Sequence, residues 1–182
     1  MKTLDTRRYA SPIGELLLIA DGADLVGLEF MDHPDRVSVV RRQLDRSFGG
    51  VVERESADPA GAVTRLERYF AGDRHALDGQ PARPHGTTFQ QRVWRALCEI
   101  PAGETRGYGE LAAAIGHPKS SRAVGAANGS NPIALIIPCH RVIAADGSLH
   151  GYGGGLHRKQ WLLAHEGASF KPERDPRQLA FV

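Results

Sequence analysis

A short segment rich in proline and glycine divides the chain into two halves. Residues 76–87 have few apolar side chains and contain four such residues, Gly79, Pro81, Pro84 and Gly86. Proline interrupts helices and central strands, and glycine weakens both, so this composition is typical of a boundary between domains. We predict a first domain over residues 1–80, a second domain over residues 87–170 and a polar tail over residues 171–182.

The first half predicts a small antiparallel sheet accompanied by helices. Two apolar strand candidates flank a turn signal, at residues 15–20, 21–24 and 25–30. Apolar runs joined by a short turn that contains Gly and Asp indicate a hairpin. Apolar side chains recur at helical spacing in residues 35–48 and 61–71. Residues 1–75 do not gather a nucleophile, a base and an oxyanion donor, so we predict that this half is a scaffold.

The second half predicts mainly helices. Its first helix begins with a capping-box pattern from Thr88 to Gln91 and carries Cys98 near its apolar face, where a buried structural thiol is expected. Two short helices follow: residues 109–115 predict one, and Pro118 fits the first position of the next. A helix, a short turn and a helix make the outline of a helix-turn-helix, which ordinary helical hairpins share.

The second of these short helices has mostly small side chains. Arg122 lies among Ser121, Ala123, Gly125, Ala126 and Ala127. Bulky polar side chains that read base edges are missing. Small residues suit either tight packing between helices or a close approach to a nucleic-acid groove. The two halves together predict an α/β (α+β) fold, with a small N-terminal antiparallel sheet and a mainly helical, winged-helix-like C-terminal part.

The second cysteine of the chain has surroundings that favour reactivity. Pro138 precedes Cys139, and His140 and Arg141 follow it. The thiolate is the nucleophilic form of cysteine, and a neighbouring base or cation favours it. The apolar run 133–137 predicts a strand that leads to this cysteine, and a lone cysteine on such a strand is usually an inert core residue. The local pattern therefore leaves both interpretations open.

Composition excludes several other classes of protein. Two cysteines cannot build a disulfide framework, and the histidines offer no ligand spacing with them, so we expect no metal and a reducing cytoplasm. No apolar run is long enough to span a bilayer, and the first residues lack the apolar core of a signal peptide. The net charge is −2 over residues 1–86 and +4 over residues 87–182, and a basic half suits a polyanionic partner.

A set of linked motifs makes the chain similar to a known family. The motifs are Tyr108 with its following helix, Ser121-Arg122-Ala123-Val124-Gly125, Asn131-Pro132, Pro138-Cys139-His140-Arg141-Val142, and Gly151-Tyr152-x-Gly154-Gly155 through Trp161-Leu162-Leu163-x-His165-Glu166-Gly167. With these motifs in order across residues 88–167, the chain resembles the O6-alkylguanine-DNA alkyltransferases, also called methylated-DNA–protein-cysteine methyltransferases. The first half resembles the family more weakly, through Ser11-Pro12-Ile13-Gly14 and its hairpin.

The resemblance implies direct-reversal DNA repair. An alkyl group would pass irreversibly from O6 of guanine, and also from O4 of thymine, to Cys139, with no cofactor and no turnover. His140 would take the cysteine proton through a bound water, and Glu166 would orient His140. Tyr108 would donate a proton or a hydrogen bond as guanine leaves. Asn131 would hold the turn that joins the second short helix to the active-site strand.

The resemblance also implies double-stranded DNA as the partner. The damaged base would be flipped out of the duplex, with Arg122 filling the gap in the base stack. Four small residues would let the helix lie in the minor groove: Ser121, Ala123, Gly125 and Ala126. Three loop residues would line the base pocket: Tyr152, Gly153 and Gly154. Lys159 would position this loop or act near the thiol, with a plain surface lysine as the alternative, and Arg141 would serve structure.

Several alternatives stay open at this point. Relatives often carry Ser or Ala where this chain has Gly153, so its selectivity for large alkyl groups is undetermined. A lesion-binding module without transfer, a cysteine hydrolase and a helix-turn-helix regulator are competing hypotheses, although Cys139 argues against the first and the missing base readers against the last. The protein is expected to be monomeric and not to bind membranes, and the sequence leaves cooperative assembly on DNA open.

Overall fold

The computed structural model of the protein describes residues 1–172, so all but the first two residues of the predicted tail lie outside the described residues. The chain forms two compact units. The first comprises residues 1–85 and 132–136, and the second comprises residues 86–131 and 137–172 of the described range. A small N-terminal sheet and a largely helical C-terminal part confirm the predicted fold class.

A four-stranded sheet forms the centre of the first unit. Its strands are β1 (Lys2–Ser11), β2 (Gly14–Asp21), β3 (Asp24–Phe30) and β4 (Val51–Glu55), in the order β3-β2-β1-β4. Strands β2 and β3 pair antiparallel, which confirms the predicted hairpin. Strand β4, which the sequence pattern did not predict, follows helix α1 (Pro34–Phe48) and pairs parallel with β1. The sheet is therefore mixed, and the prediction that it is antiparallel is wrong for this pair of strands, because the helix between them returns the chain to the same end of the sheet. Helix α2 (Ala62–Phe70) completes this unit.

Helix α1 packs its apolar side against the sheet. Val37, Val40 and Leu44 recur at helical spacing and belong to one core cluster with four sheet residues, Leu4, Leu17, Ile19 and Val26. Gly27 of β3 leaves room for this helix, because a Cβ atom there would lie 2.9 Å from Val40 Cγ1. The first unit therefore has its own hydrophobic core.

Helices dominate the second unit. They are α3 (Thr88–Cys98), α4 (Tyr108–Ala114), α5 (Ser121–Gly129) and α6 (Leu156–Glu166), with the short parallel pair β5 (Arg106–Gly107) and β6 (Val142–Ile143). Helices α4 and α5 pack on each other and on α3, which gives the predicted helix-turn-helix arrangement. Trp94 anchors it, because the Nε1–H of this buried side chain donates to the Ala127 carbonyl at 2.9 Å.

The starts of α3 and α5 show why the sequence prediction of helix boundaries was inexact. The capping box of α3 begins one residue earlier, at Thr87: its Oγ1 accepts the Gln90 N–H at 3.2 Å, and Gln90 Oε1 accepts the Thr87 N–H at 2.8 Å. Pro118 lies outside α5 rather than at its first position. The reason is a separate turn before the helix, which the Ser120 N–H closes by donating to the His117 carbonyl at 2.9 Å.

The prediction of a strand before Cys139 is wrong. In the first unit, the Leu28 N–H donates to the Pro132 carbonyl at 2.9 Å, and the Ala134 N–H donates to the Leu28 carbonyl at 2.8 Å, so this segment forms an isolated bridge beside β3. Leu135 then takes a left-handed conformation with φ +66°, which ends the extended backbone. In the second unit, Cys139 opens a 3₁₀ turn that ends at Arg141.

Candidate active site

The thiol of Cys139 is held by the side chain of Asn131. Both residues are buried, with relative exposures of 6% and 1%. Asn131 Nδ2 donates to the Ile137 carbonyl at 2.7 Å and to Cys139 Sγ at 3.1 Å. Asn131 thus fixes the turn by its backbone contact and directs an N–H at the sulfur. A donor at this distance stabilises the thiolate more than the thiol.

The other side chains of the motif meet at Glu166, the last residue of α6. His140 Nε2 lies 3.0 Å from Glu166 Oε1, and both side chains are almost fully buried. Arg141 binds the same carboxylate with two hydrogen bonds, from Nε to Oε2 and from Nη2 to Oε1, each 2.8 Å long. Arg141 Nη1 also donates to the Ile100 carbonyl at 2.6 Å. The predicted pair of His140 and Glu166 is therefore part of a three-residue network.

Burial and charge set the ionisation of this network. Burial lowers the pKa of His140, Arg141 and Lys159 lower it further, and Glu166 opposes them. Burial by itself would raise the pKa of Glu166, but His140 and Arg141 outweigh it and hold that pKa well below its usual range. Glu166 is therefore an anion at neutral pH and His140 a neutral imidazole, which is the form that can accept a proton.

Tyr108, at the start of α4, points its hydroxyl toward the loop before α6. The hydroxyl lies 3.5 Å from the His150 carbonyl, a long contact. Burial raises the pKa of Tyr108, and the nearby Cys139 raises it further. The phenol therefore stays protonated and can donate.

The glycine-rich loop is held by two buried cations of α6. Lys159 Nζ donates to the Val142 carbonyl at 2.6 Å and to the His150 carbonyl at 2.7 Å, while Arg158 Nη1 donates to the Gly154 carbonyl at 2.9 Å. The relative exposures are 0% for Lys159 and 3% for Arg158, so the alternative of a plain surface lysine is wrong. The Tyr152 ring lies edge-on to the His140 ring, with centroids 6.5 Å apart.

Lys159 should make the stability of the fold depend on pH. Burial lowers the pKa of Lys159 to about 8, against an opposing attraction to Cys139, whereas an unfolded lysine titrates near ~10.4. Between these values the unfolded chain binds the proton more strongly, so the free energy of unfolding should rise with pH by about 1.4 kcal/mol per unit. Urea titrations at pH 8 and pH 9.5 should show the wild type gaining about 1.5 kcal/mol relative to Lys159→Met, because the full slope is reached only above the folded midpoint. Parallel pH dependences for the two proteins would contradict this assignment.

The predicted DNA-facing residues of α5 divide by exposure. Three of them are exposed, Arg122, Ala123 and Ala126, while Ser121 and Gly125 are half-buried. Gly125 lies beside α4, where an added Cβ atom would be 3.7 Å from Tyr108 Cε1. The small residues of α5 therefore fit both interpretations, tight helix packing and an open binding face. Gly125 lies against α4, whereas Ala123 and Ala126 leave an exposed face of small side chains around Arg122.

Sequence analysis missed two residues of the site and placed one cysteine wrongly. Asn128 is buried on α5, and its Nδ2 donates to the Cys139 carbonyl at 3.4 Å; a polar residue four positions after Val124 on the buried face was the available signal. Arg158 was missed although it adjoins Lys159. The prediction that Cys98 is a buried thiol is wrong, because the residue is exposed. Its sulfur is nevertheless partly shielded by neighbouring atoms, and this desolvation raises the pKa of the thiol.

Among residues 1–172, no group of three or more His, Cys, Asp and Glu side chains could hold a metal ion. Within the same described range, none of the helices combines the length and the apolar character needed to cross a membrane.

Comparison with known proteins decides the family. The DNA binding domain of 6-O-methylguanine DNA methyltransferase matches residues 88–168, and its ribonuclease-like domain matches residues 6–83. The chain belongs to the 6-O-methylguanine DNA methyltransferase family. Among its members, the methylated-DNA–protein-cysteine methyltransferase of Salmonella typhimurium is 44% identical over 169 residues, covering 92% of this chain and 98% of the relative. That of Methanosarcina acetivorans is 48% identical over 160 residues, covering 88% and 96%.

Solved structures of the family agree with this assignment. The crystal structure of the Mycobacterium tuberculosis O6-methylguanine methyltransferase has a TM-score of 0.74 and 44% identity, covering 90% of this chain and 93% of that one. The Mycobacterium tuberculosis protein in complex with DNA gives a TM-score of 0.72 at 45% identity, covering 91% and 92%. Family membership favours DNA methyl transfer over the cysteine hydrolase and the transcriptional regulator.

Proposed function

We propose that this protein repairs O6-alkylguanine in double-stranded DNA by moving the alkyl group onto Cys139, once per molecule. The observation that carries the proposal is the buried thiol of Cys139, held by Asn131 next to the pair of His140 and Glu166, in a chain of this family. A lesion-binding module that does not transfer would need no activated thiol. We therefore favour transfer over recognition alone.

The cysteine proton would leave by way of His140. Since its Nε2 faces the Glu166 carboxylate, Nε2 carries the hydrogen and Nδ1 keeps a lone pair. Nδ1 is buried and has no hydrogen-bond partner among the described residues, which suits an atom that receives a proton. A bridging water would carry that proton from Cys139, as the family resemblance implies. The imidazolium formed would be stabilised by the anionic Glu166.

The transfer itself is a substitution at the alkyl carbon. The Cys139 thiolate would attack that carbon, a C–S bond would form, and the C–O bond would break with its electron pair left on guanine. Tyr108 would then donate its hydroxyl hydrogen to the departing base, and its phenolate would recover a proton from the His140 imidazolium by way of water, so that the cysteine proton ends on guanine. The balance needs no oxidant or cofactor. The thioether left on Cys139 is stable, so the protein would act once.

The DNA-facing surface would lie on α5. Flipping a base out of the duplex costs about a few kcal/mol, and Arg122 would offset part of that cost by filling the gap in the stack. The exposed Ala123 and Ala126 would let the helix lie in the minor groove, with the half-buried Ser121 and Gly125 at its edge. That groove carries little sequence information, which suits a protein that selects damage rather than sequence.

The flipped base would enter a pocket formed by the glycine-rich loop. Tyr152, Gly153 and Gly154 would line it, and Lys159 would hold the loop through its bond to the His150 carbonyl. Gly153 offers no side-chain contact to the alkylated oxygen. In this proposal residues 87–170 form the DNA-binding and alkyl-acceptor domain, residues 1–80 form the scaffold, and the protein works as a cytoplasmic monomer.

Stoichiometry tests the proposal. A fixed amount of protein is mixed with increasing amounts of duplex that contains one O6-methylguanine, and repaired guanine is counted. The repaired amount should rise to one per protein molecule and then stop. Continued repair beyond one equivalent would mean catalytic turnover and would rule out Cys139 as a permanent acceptor. Tight binding with no repaired guanine would favour the recognition module.

A further inference from the structure

More charged side chains lie around His140 than are needed to orient one imidazole ring. A single carboxylate oxygen is enough to fix the ring and its tautomer. The groups that face His140 are Glu166 and Lys159 from α6, Arg141 from its own turn, the Cys139 thiol, and the Tyr152 ring from the glycine-rich loop. Two of these groups are cations, and both are buried. Burying a cation is costly, so their presence beside a base calls for a physical reason.

Arg141 is bound to the carboxylate that orients His140. Glu166 Oε1 accepts from Arg141 Nη2 at 2.8 Å and from His140 Nε2 at 3.0 Å, so one oxygen serves both residues. The second oxygen, Oε2, accepts from Arg141 Nε at 2.8 Å. The third guanidinium nitrogen, Nη1, is fixed on the Ile100 carbonyl after α3. The guanidinium is therefore held on three sides and cannot turn away from the carboxylate.

The charge that Arg141 places on Glu166 affects whether His140 is a neutral imidazole or an imidazolium before the reaction. A carboxylate alone beside a buried histidine favours the imidazolium, because it rewards the positive ring. A base that is already protonated from solvent cannot take the proton of Cys139. A guanidinium bound to the same carboxylate opposes that preference and adds to the effect of burial, while Glu166 keeps its hydrogen bond to the ring. The network can then orient His140 without protonating it in advance.

We propose that Arg141 is a positioning residue that neutralises Glu166 toward His140, so that His140 rests as a neutral imidazole able to accept the Cys139 proton. The inference rests on the proposed function, since only a proton acceptor needs that state. It assigns Arg141 a role beyond holding the fold together. The pKa of His140 is shifted in the direction that this role requires. Burial lowers that pKa most, Arg141 lowers it further, and Glu166 acts to raise it.

The test is a ¹⁵N nuclear magnetic resonance titration of the His140 ring in the unreacted protein without DNA. Arg141→Gln keeps a hydrogen-bond donor but loses the charge, and Arg141→Lys keeps the charge but loses the planar fork. We expect Arg141→Gln to move the His140 midpoint upward by at least about one pH unit and Arg141→Lys to move it much less. Equal movement in both variants, or none in Arg141→Gln, would overturn the proposal. The other histidines of the chain serve as internal references.

A second pair of variants covers the case in which Arg141→Gln does not fold, because a buried carboxylate that loses its cation is destabilising. Glu166→Gln and the double variant Glu166→Gln with Arg141→Gln differ only in the guanidinium, and neither buries an anion at this position. The double variant should again titrate at least about one unit higher than Glu166→Gln. Identical midpoints would overturn the role of Arg141.

The pH profile of the reaction with free O6-benzylguanine gives an independent readout. In Arg141→Gln the acid side of the profile should move upward by the same interval as the His140 midpoint, and in Arg141→Lys it should stay close to the wild type. A purely structural role would lower the rate at every pH without moving the profile. The titration uses no substrate, so unchanged midpoints with intact methyl transfer would reject only this inference. Displaced midpoints in a protein that transfers no alkyl group would reject only the proposed function.

Discussion

Replacing the acceptor sulfur by oxygen, in Cys139→Ser, should lower methyl transfer to the protein by at least about a thousandfold. The serine hydroxyl is far less acidic than a thiol, and the Asn131 contact and the neutral His140 cannot make up that difference. Binding to duplex DNA should be retained, because the exposed face of α5 is untouched. The measurement mixes the variant with duplex that carries a labelled O6-methyl group and counts the label bound to protein.

Cys98→Ser is the matched control for that experiment. Cys98 is the other thiol of the chain, and it is exposed at the end of α3. The raised pKa of this thiol keeps it protonated and therefore a poor nucleophile. Its replacement should leave both the rate and the amount of label unchanged. Label that persists in Cys139→Ser and disappears in Cys98→Ser would move the acceptor to Cys98.

Arg122→Ala should slow repair of O6-methylguanine in duplex DNA by about 100-fold, while the reaction with free O6-benzylguanine keeps its rate. Only the duplex requires a base to be unstacked, and losing a side chain that offsets about 2.7 kcal/mol of that cost gives this factor. Arg122 is exposed on α5, so its removal should not disturb the fold. Single-turnover rates on both substrates provide the comparison.

Lys119→Ala controls for the loss of one positive charge. Lys119 is exposed just before α5 and is removed with the same change in charge. It should weaken duplex repair only by the modest, salt-dependent amount expected for one phosphate contact. Similar losses for the two variants on duplex would reduce Arg122 to a phosphate contact. Equal losses for Arg122→Ala on duplex and on the free base would reject its role in base flipping.

The elements that the sequence predicted are those that local patterns determine. The hairpin of β2 and β3 follows from two apolar runs and one turn, and the helix-turn-helix follows from breaks between short helical segments. Strand β4 was missed because its partner, β1, lies about fifty residues away along the chain, and mainly exposed residues in a short strand give little signal. The run before Cys139 looked like a strand because its apolar composition does not show the left-handed Leu135.

The residues of the active site also divide into those that the sequence predicted and those that only the fold shows. The motif around Cys139 and the position of Glu166 were available from the sequence, because residue types and their order carry them. The burial of Lys159 and Arg158 was not, since cations at these positions would usually lie in solvent and only the loop carbonyls of the folded chain explain them. Asn128 and the fork of Arg141 on Glu166 likewise depend on contacts between distant segments. A sequence can therefore name the nucleophile, while the groups that set its ionisation require the fold.

The most direct test of alkyl transfer is the mass of the peptide that contains Cys139, measured after the intact protein has reacted with duplex DNA that carries one O6-methylguanine. We predict the mass increase of one methyl group on that peptide, on the sulfur, at one per protein molecule, and no increase on the Cys98 peptide. An unmodified Cys139 peptide from protein that has removed the methyl group from DNA, or a methyl group found on another residue, would contradict it.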